Sequence, residues 1–138
     1  MGIRARLAAA GDDSGAAVVD FVMMSILLLL LLFAVLQAAV YFYARNVAAA
    51  SAADAARYAA AEGVDPSSGA ARAQRLIGQG LDTKDAGAIH CTSGPARDDR
   101  SGLAVTTVHC RGRVRLFFTP LGLPLIVDVR SSVLREGR

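Results

Sequence analysis

Residues 21–44 read FVMMSILLLLLLFAVLQAAVYFYA, a run of 24 residues without a charged side chain. A bilayer core requires about 20 predominantly apolar residues in helical conformation, so this run is long enough to cross a membrane. Tyr41, Phe42 and Tyr43 end the run and Arg45 follows, which is typical of an interfacial aromatic belt next to a cation. The run therefore predicts a single transmembrane helix.

The predicted helix extends beyond the apolar run. Neither Gly nor Pro occurs in residues 16–62, where Ala and Leu dominate, so the pattern predicts one continuous helix over this range. Its second half, residues 46–62, is alanine-rich with scattered charges, which indicates a stalk that emerges from the membrane. Gly63 and Pro66 supply the signal that ends it.

The rest of the chain predicts a short helix followed by a small antiparallel sheet. Asp65 and Pro66 are suited to begin a helix that runs to about Gly80. After it the hydrophobic period changes to two, which is typical of strands. The predicted strands are residues 86–91, 102–118 and 125–134, joined by a flexible polar connection over 92–102 and a turn over 119–124. The predicted fold class is α+β.

Cys91 and Cys110 are the only cysteines, and each follows a histidine. Two Cys and two His could bind zinc, but successive strand residues point to opposite faces, so His90 and Cys91 could not easily turn toward one metal ion. The strand phase places both sulfurs on the inner face and both imidazoles on the outer face. In a chain tethered outside the cytoplasm, the pattern favours a Cys91–Cys110 disulfide over a metal site, and no cofactor is expected.

The basic residues are concentrated after the helix. The formal net charge is +3, and residues 64–138 hold 11 basic and 7 acidic side chains. Arg111, Arg113 and Arg115 alternate on the outer face of one strand, which suits an acidic lipid or polysaccharide, although a solvated strand face explains the same pattern. No aromatic residue is interleaved with them, so nucleic acid is not an expected partner. No P-loop, catalytic carboxylate pair or nucleophile motif is present, and enzymatic activity is not expected.

The segment GAAVVDFVMMSILLLLLLFAVLQ, residues 15–37, has a small residue, an acid five positions later and then an apolar helix. This arrangement resembles the prepilin-type signal of type IV pilins and pseudopilins. With the alanine-rich continuation ARNVAAASAADAARYAA, it is most similar to TadE-like proteins of tight-adherence (Flp) pilus systems. The resemblance is carried by about residues 11–45, and the β-rich tail, residues 88–136, is also similar but less specific.

The resemblance implies processing and orientation. A membrane prepilin peptidase would cut between Gly15 and Ala16, so that residues 1–15 are a leader, residues 16–62 the transmembrane helix and stalk, and residues 63–138 an extracytoplasmic β-rich domain. The N-terminus would be cytoplasmic in this single-pass cell-membrane protein. The implied partners are the membrane, the peptidase, other pilin-like subunits and the pilus assembly platform.

The resemblance also implies that Asp20 and the adjacent Phe21 act in helix register and assembly. In the family this acid, usually Glu, is thought to pair with the free amine of a neighbouring subunit, here the amine of Ala16, and so to fix the axial register of helix packing. Pairing would reduce the cost of a charge in a low-dielectric environment. The alternative is that Asp20 complements the helix dipole in the first turn.

The sequence thus predicts a pseudopilin-like minor structural component of a tight-adherence pilus assembly or secretion system. One alternative is a membrane-anchored module, unrelated to pili, whose basic sheet binds a surface ligand. A second is an exported soluble protein, with residues 21–39 as the core of a signal peptide and a cleavage site within residues 48–56.

Overall fold

The structure is a computed structural model that describes the backbone of residues 3–115 and 125–135, with side chains described from residue 15 onward. The elements are α1 (Ile3–Ala60), α2 (Ser68–Gly80), α3 (Thr83–Gly87), β1 (Ile89–Arg97), β2 (Ala104–Val114) and β3 (Leu125–Leu134). This order confirms the predicted α+β class. The predicted turn over 119–124 lies outside the described residues. The chain forms two compact units, Met1–Gln37 and Ala38–Arg138.

The first unit contains the most apolar part of α1. Within the described residues, α1 is the one helix long and apolar enough to cross a membrane, over Gly15–Ala60. The leucine side chains at positions 27–32 are all more than half exposed, and so are Val18, Phe21 and Met23. A helix that is apolar all round suits a membrane span rather than an aqueous surface.

The alanine-rich half of α1 belongs to the core of the second unit. Its buried side chains recur every three or four residues, which places them on one helical face. They are Ala44, Ala48, Ser51, Ala52, Ala55, Ala56, Ala59 and Ala60. We call these eight residues the small-residue face. The segment that the sequence indicated as a stalk therefore forms one wall of the folded domain.

The opposite wall is an antiparallel sheet in the order β1-β2-β3. Its inner face contributes the large core side chains, and α2 adds Ile77. Those from the sheet include Ile89, Val108, Cys110, Val114, Val127 and Val129. The alternation predicted for β2 is present from Thr106 to Val114, and β3 has the predicted bounds.

Two predictions about the hairpin need correction. Residues 92–97, expected in a flexible connection, continue β1 as far as Arg97 and pair with β2. The connection is a tight turn in which the Asp98 carboxylate accepts hydrogen bonds from the backbone N–H and hydroxyl of Ser101, at 3.1 and 2.6 Å. These bonds lower the pKa of Asp98. The short helix α3 was not predicted.

Helix α2 covers the free edge of β1. The Gln74 side-chain amide donates to the Ile89 carbonyl at 2.6 Å, and its oxygen accepts from the Cys91 N–H at 3.3 Å. Ser93 accepts from the Ala70 N–H and donates to the Ser67 carbonyl, both at 2.8 Å. The Gln74 side chain thus satisfies backbone groups at the edge of β1, and the Ser93 hydroxyl satisfies backbone groups at the start of α2.

The turn before α2 is fixed by Asp65, as its position before Pro66 suggested. Its carboxylate accepts from the Ser67 N–H at 2.9 Å, which lowers the pKa of Asp65. The helix itself begins at Ser68, so the expected helical start at Pro66 is occupied by a turn. Gly63 adopts a φ of 78°, which explains the glycine at the end of α1.

Gly112 permits the closest backbone approach in the sheet. A Cβ there would clash with the Ala88 carbonyl oxygen and lie 2.5 Å from Cα of Ile89. Both obstacles are backbone atoms and cannot rotate away. We expect Gly112→Ala to lower the free energy of unfolding by about 1–3 kcal/mol or more, because the added methyl displaces the start of β1.

Urea unfolding of the full chain in detergent micelles, followed by circular dichroism, measures this change. Gly94→Ala is the matched control, because it lies in β1 and a Cβ there would meet no atom within 4 Å. Equal unfolding midpoints for the two variants would contradict the close approach at Gly112.

Candidate functional site

The N-terminal part of the membrane-length helix is open to its surroundings. A Cβ on Gly15 would meet no atom within 4 Å, and Phe21 is 73% exposed. Asp20 is exposed and, among residues 15–115 and 125–135, has no hydrogen-bond or ion-pair partner. The Asp20 carboxylate is therefore unpaired among the residues whose side chains the structure describes.

The apolar side chains around Asp20 are exposed and require an apolar environment. From Val18 to Val40 most large side chains are at least 40% exposed, although Gln37 is a partly buried exception. Lipid chains or the apolar helices of other subunits are the environments that can accept such a surface. Asp20 thus lies within α1, at the N-terminal end of its apolar part, and its carboxylate has no partner among the described side chains.

The comparisons with known proteins bear on this same segment. The model of the family described as TadE-like protein matches residues 15–57. Over this segment of α1 the chain is similar to the TadE-like family. The match confirms the resemblance predicted from the sequence, and it includes Gly15, Asp20 and the apolar run. No curated protein and no solved structure matches the chain.

The TadE-like match ends inside α1, so it covers the small-residue face only as far as Ala56 and includes none of the sheet. Two features of the sheet were predicted from the sequence, the cysteine pair and the arginines of β2.

Cys91 and Cys110 form the predicted disulfide. They are directly opposite each other in the β1–β2 register, with Cα atoms 4.1 Å apart. Cys110 is fully buried, and Cys91 is partly buried against the core. Because each sulfur is bonded to the other, neither is available as a thiolate ligand for zinc. Within the described residues, no group of three or more metal-ligating side chains occurs.

The outer face of the sheet carries a charged cluster. His109 Nε2 lies 2.7 Å from the Asp128 carboxylate, and Arg111 Nε lies 3.8 Å from its other oxygen. The hydrogen bond from His109, followed by the charges of His109, Arg111 and Arg130, lowers the pKa of Asp128 despite some desolvation. Asp128 therefore stays ionised and offsets part of the positive charge of the cluster.

Arg111, Arg113 and Arg115 lie on exposed positions, as the alternation predicted. Arg113 and Arg115 have no ion-pair partner in the described parts of the chain. A shallow concave site lies beside Arg111 and Arg113, where β2 is flanked by β1 and β3. Its lining residues are Ala88, His90, Arg111, Gly112, Arg113 and Ile126.

Sequence reasoning missed Asp128 as a member of this cluster. Arg111 and Asp128 are opposite each other in the β2–β3 register, and His109 is opposite Arg130. The alternation in VDVR identifies Asp128 as an outward residue, but only the strand pairing shows which side chains it faces. His90 is exposed, and His109 is outward but bonded to Asp128.

Removal of the disulfide should destabilise the second unit. The bond joins residues separated by 19 positions, and closure of such a loop stabilises a fold by about 3 kcal/mol in the chain-entropy model. We expect Cys91→Ser/Cys110→Ser to lower the free energy of unfolding by about this amount. Urea unfolding of the full chain in micelles, with and without reductant, provides the measurement.

Reductant should shift the unfolding midpoint of the wild type toward that of the double variant and leave the double variant unchanged. If the reduced and oxidised wild type unfold at the same urea concentration, the disulfide does not stabilise the fold.

Proposed function

We propose that the chain is a pseudopilin-like minor structural subunit of a tight-adherence pilus assembly or secretion system. The observation that carries the proposal is the TadE-like match over residues 15–57, which covers the segment that would be processed and packed. The role is structural rather than catalytic. Partners would be a prepilin peptidase, other pilin-like subunits and the assembly platform.

The geometry of the first unit supports a role in helix packing. Processing between Gly15 and Ala16 would create a free amine four residues before Asp20. The Asp20 carboxylate has no partner among the described residues, and a charge in an apolar environment is costly unless it is paired. An amine from a neighbouring chain would supply that partner and fix the axial position of one leucine-rich helix against another.

The disulfide supports the proposed orientation. Such bonds persist in oxidising compartments and are rare in the cytosol. With the N-terminus cytoplasmic, residues 46–138 and both cysteines would lie outside the cytoplasm, where the bond is stable.

The exported soluble protein is less consistent with the core. Cleavage within residues 48–56 would remove Ala44 and Ala48 from the folded domain. The small-residue face would then lose part of its buried side chains. The membrane-anchored binding module is better supported, because the sheet exposes Arg113 and Arg115 without ion-pair partners in the described parts of the chain.

The mature N-terminus distinguishes these functions. Co-expression of the full chain with an active prepilin peptidase should yield a product that begins at Ala16, and Gly15→Leu should block the cut because a small residue is replaced by a bulky one. Gly11→Leu is the matched control and should be cut normally. Intact-mass analysis provides the measurement.

An uncut chain with active peptidase would contradict the pilin-like proposal and favour the anchored module. A product that begins after Ala48 would instead favour the exported protein.

Asp20→Asn tests the intermolecular pairing. Asn retains a short polar side chain that suits a helix start but lacks the charge. We expect insertion and cleavage to remain close to wild type while crosslinking between neighbouring chains falls several-fold, and we expect Asp20→Glu to retain or improve crosslinking. Recovery with pilus components, at matched expression, is the second measurement.

Glu62→Gln removes the same charge after the end of α1 and should not affect association. Equal crosslinking for wild type, Asp20→Asn and Asp20→Glu would assign Asp20 to the helix terminus alone.

A further inference from the structure

One end of the sheet lies beside the residues that end the apolar run. The Tyr41 hydroxyl donates to the Ile126 carbonyl at 3.4 Å, and Ile126 pairs with Arg113 across the sheet. The Tyr43 hydroxyl donates to the Gly80 carbonyl at 3.0 Å. The Tyr41 contact thus places Arg113 beside the end of the apolar run, and the Tyr43 contact places the end of α2 there.

The other contacts of α1 give the direction of the strands. A Cβ on Gly69 would lie 3.0 Å from Ala59 and 3.1 Å from Val108, so Val108 is close to the far end of α1. The direction of β2 is therefore opposite to that of α1. From Val108 to Arg113, β2 passes from the level of Ala59 toward the level of Tyr41. Arg115 follows two residues later, about 7 Å further in the same direction in an extended chain.

The charge at this end is positive and accessible. The Arg111 side chain is 65% exposed, and Arg113 and Arg115 are also exposed. Asp128, the carboxylate that contacts Arg111, is already hydrogen-bonded to His109. Beside Arg111 and Arg113 the concave site also exposes Ile126, which is 49% exposed and can contact an apolar group.

We propose that Arg111, Arg113 and Arg115, here called the basic end of the sheet, bind phosphate headgroups of anionic phospholipids in the leaflet where the apolar run ends. A guanidinium can donate two parallel hydrogen bonds to a phosphate. The attraction of an anionic leaflet falls off within about 8–10 Å at physiological salt, so only groups held near the interface experience it. The contact between Tyr41 and Ile126 holds the basic end at that level.

The proposal rests on the membrane span of α1 and is independent of the pilus role and of orientation. A lipid is favoured over a soluble polyanion because the basic end adjoins the aromatic belt, whereas the opposite end of the sheet, near Leu103, does not.

The chain contains no tryptophan, so one introduced Trp reports on one position. Ile126→Trp places the probe at the basic end, and Leu103→Trp places it at the opposite end with similar exposure, 51% against 49%. The two positions are about 30 Å apart along the sheet. Full chains would be inserted in nanodiscs that contain a phosphatidylcholine with a nitroxide on its headgroup, with or without phosphatidylglycerol.

Co-elution of chain and disc scores insertion separately, so a failure of the membrane anchor is distinguished from a failure of the proposal. Nitroxide quenching of Ile126→Trp should be about twofold or more stronger in discs with phosphatidylglycerol than in neutral discs. It should fall toward the neutral value at 1 M salt, where the screening length is about 3 Å. Quenching of Leu103→Trp should be weak in both.

Charge variants in the Ile126→Trp background complete the test. Arg111→Gln/Arg113→Gln should abolish the phosphatidylglycerol effect. Arg97→Gln/Arg100→Gln removes the same charge at the opposite end of the sheet and should preserve it. Asp128→Asn should increase it, because it removes the carboxylate that faces Arg111.

Addition of inorganic phosphate to neutral discs should not reproduce the effect, because free phosphate does not hold the sheet against a nitroxide-labelled leaflet. Equal quenching in both disc types would overturn the proposal and favour a soluble polyanion as the ligand. An effect that persists in Arg111→Gln/Arg113→Gln would overturn it as well.

Discussion

The packing of the small-residue face of α1 against the sheet and α2 is the contact on which the second unit depends. Alanine and serine side chains allow the helix backbone to approach its neighbours closely, and a Cβ on Gly69 of α2 would lie only 3.0 Å from Cβ of Ala59. The larger side chains come from the other side, mainly from Ile77, Ile89 and Val108. A helix poor in bulky residues thus still forms one side of the core, because its partners supply the volume.

The fold class followed from the sequence because its signals are local. A long uncharged apolar run, the Gly63–Pro66 stop and the period-two pattern of β3 each depend on neighbouring residues, and the structure confirms the α+β arrangement. The extension of β1 to Arg97 was missed because its residues are polar and include Gly94 and Pro95, which indicate loops. Their strand conformation depends on pairing with β2, a non-local interaction.

The alanine-rich half of α1 shows why composition can mislead. Its alanine-rich composition and scattered charges indicated a stalk that emerges from the membrane, whereas its buried positions recur with helical spacing and face the core. Alanine is both a strong helix former and a small core residue, so its presence alone does not distinguish an exposed helix from a buried one. The charges of Asp54 and Arg57 lie on the exposed side, and Asp54 pairs with Arg72 of α2 at 2.8 Å.

The candidate sites were predictable to different extents. The cysteine pair followed from strand phase, and Asp20 from the family resemblance. The cluster around Asp128 did not, because its members come from different strands and meet only in the correct register. The tyrosine contacts with Ile126 and Gly80 were likewise invisible in the sequence, since they join residues 85 and 37 positions apart.

Because of the small-residue face, the two halves of α1 should tolerate different kinds of substitution. In the apolar run, exchange of one large hydrophobic side chain for another alters little, whereas a polar group is costly. Along the small-residue face the limit is size, since Ser51 is accommodated there among alanines. A substitution matrix based on hydropathy would score Ala48→Leu as milder than Ala48→Ser. Steric fit at this position favours the opposite order, because serine is close to alanine in size and leucine is much larger.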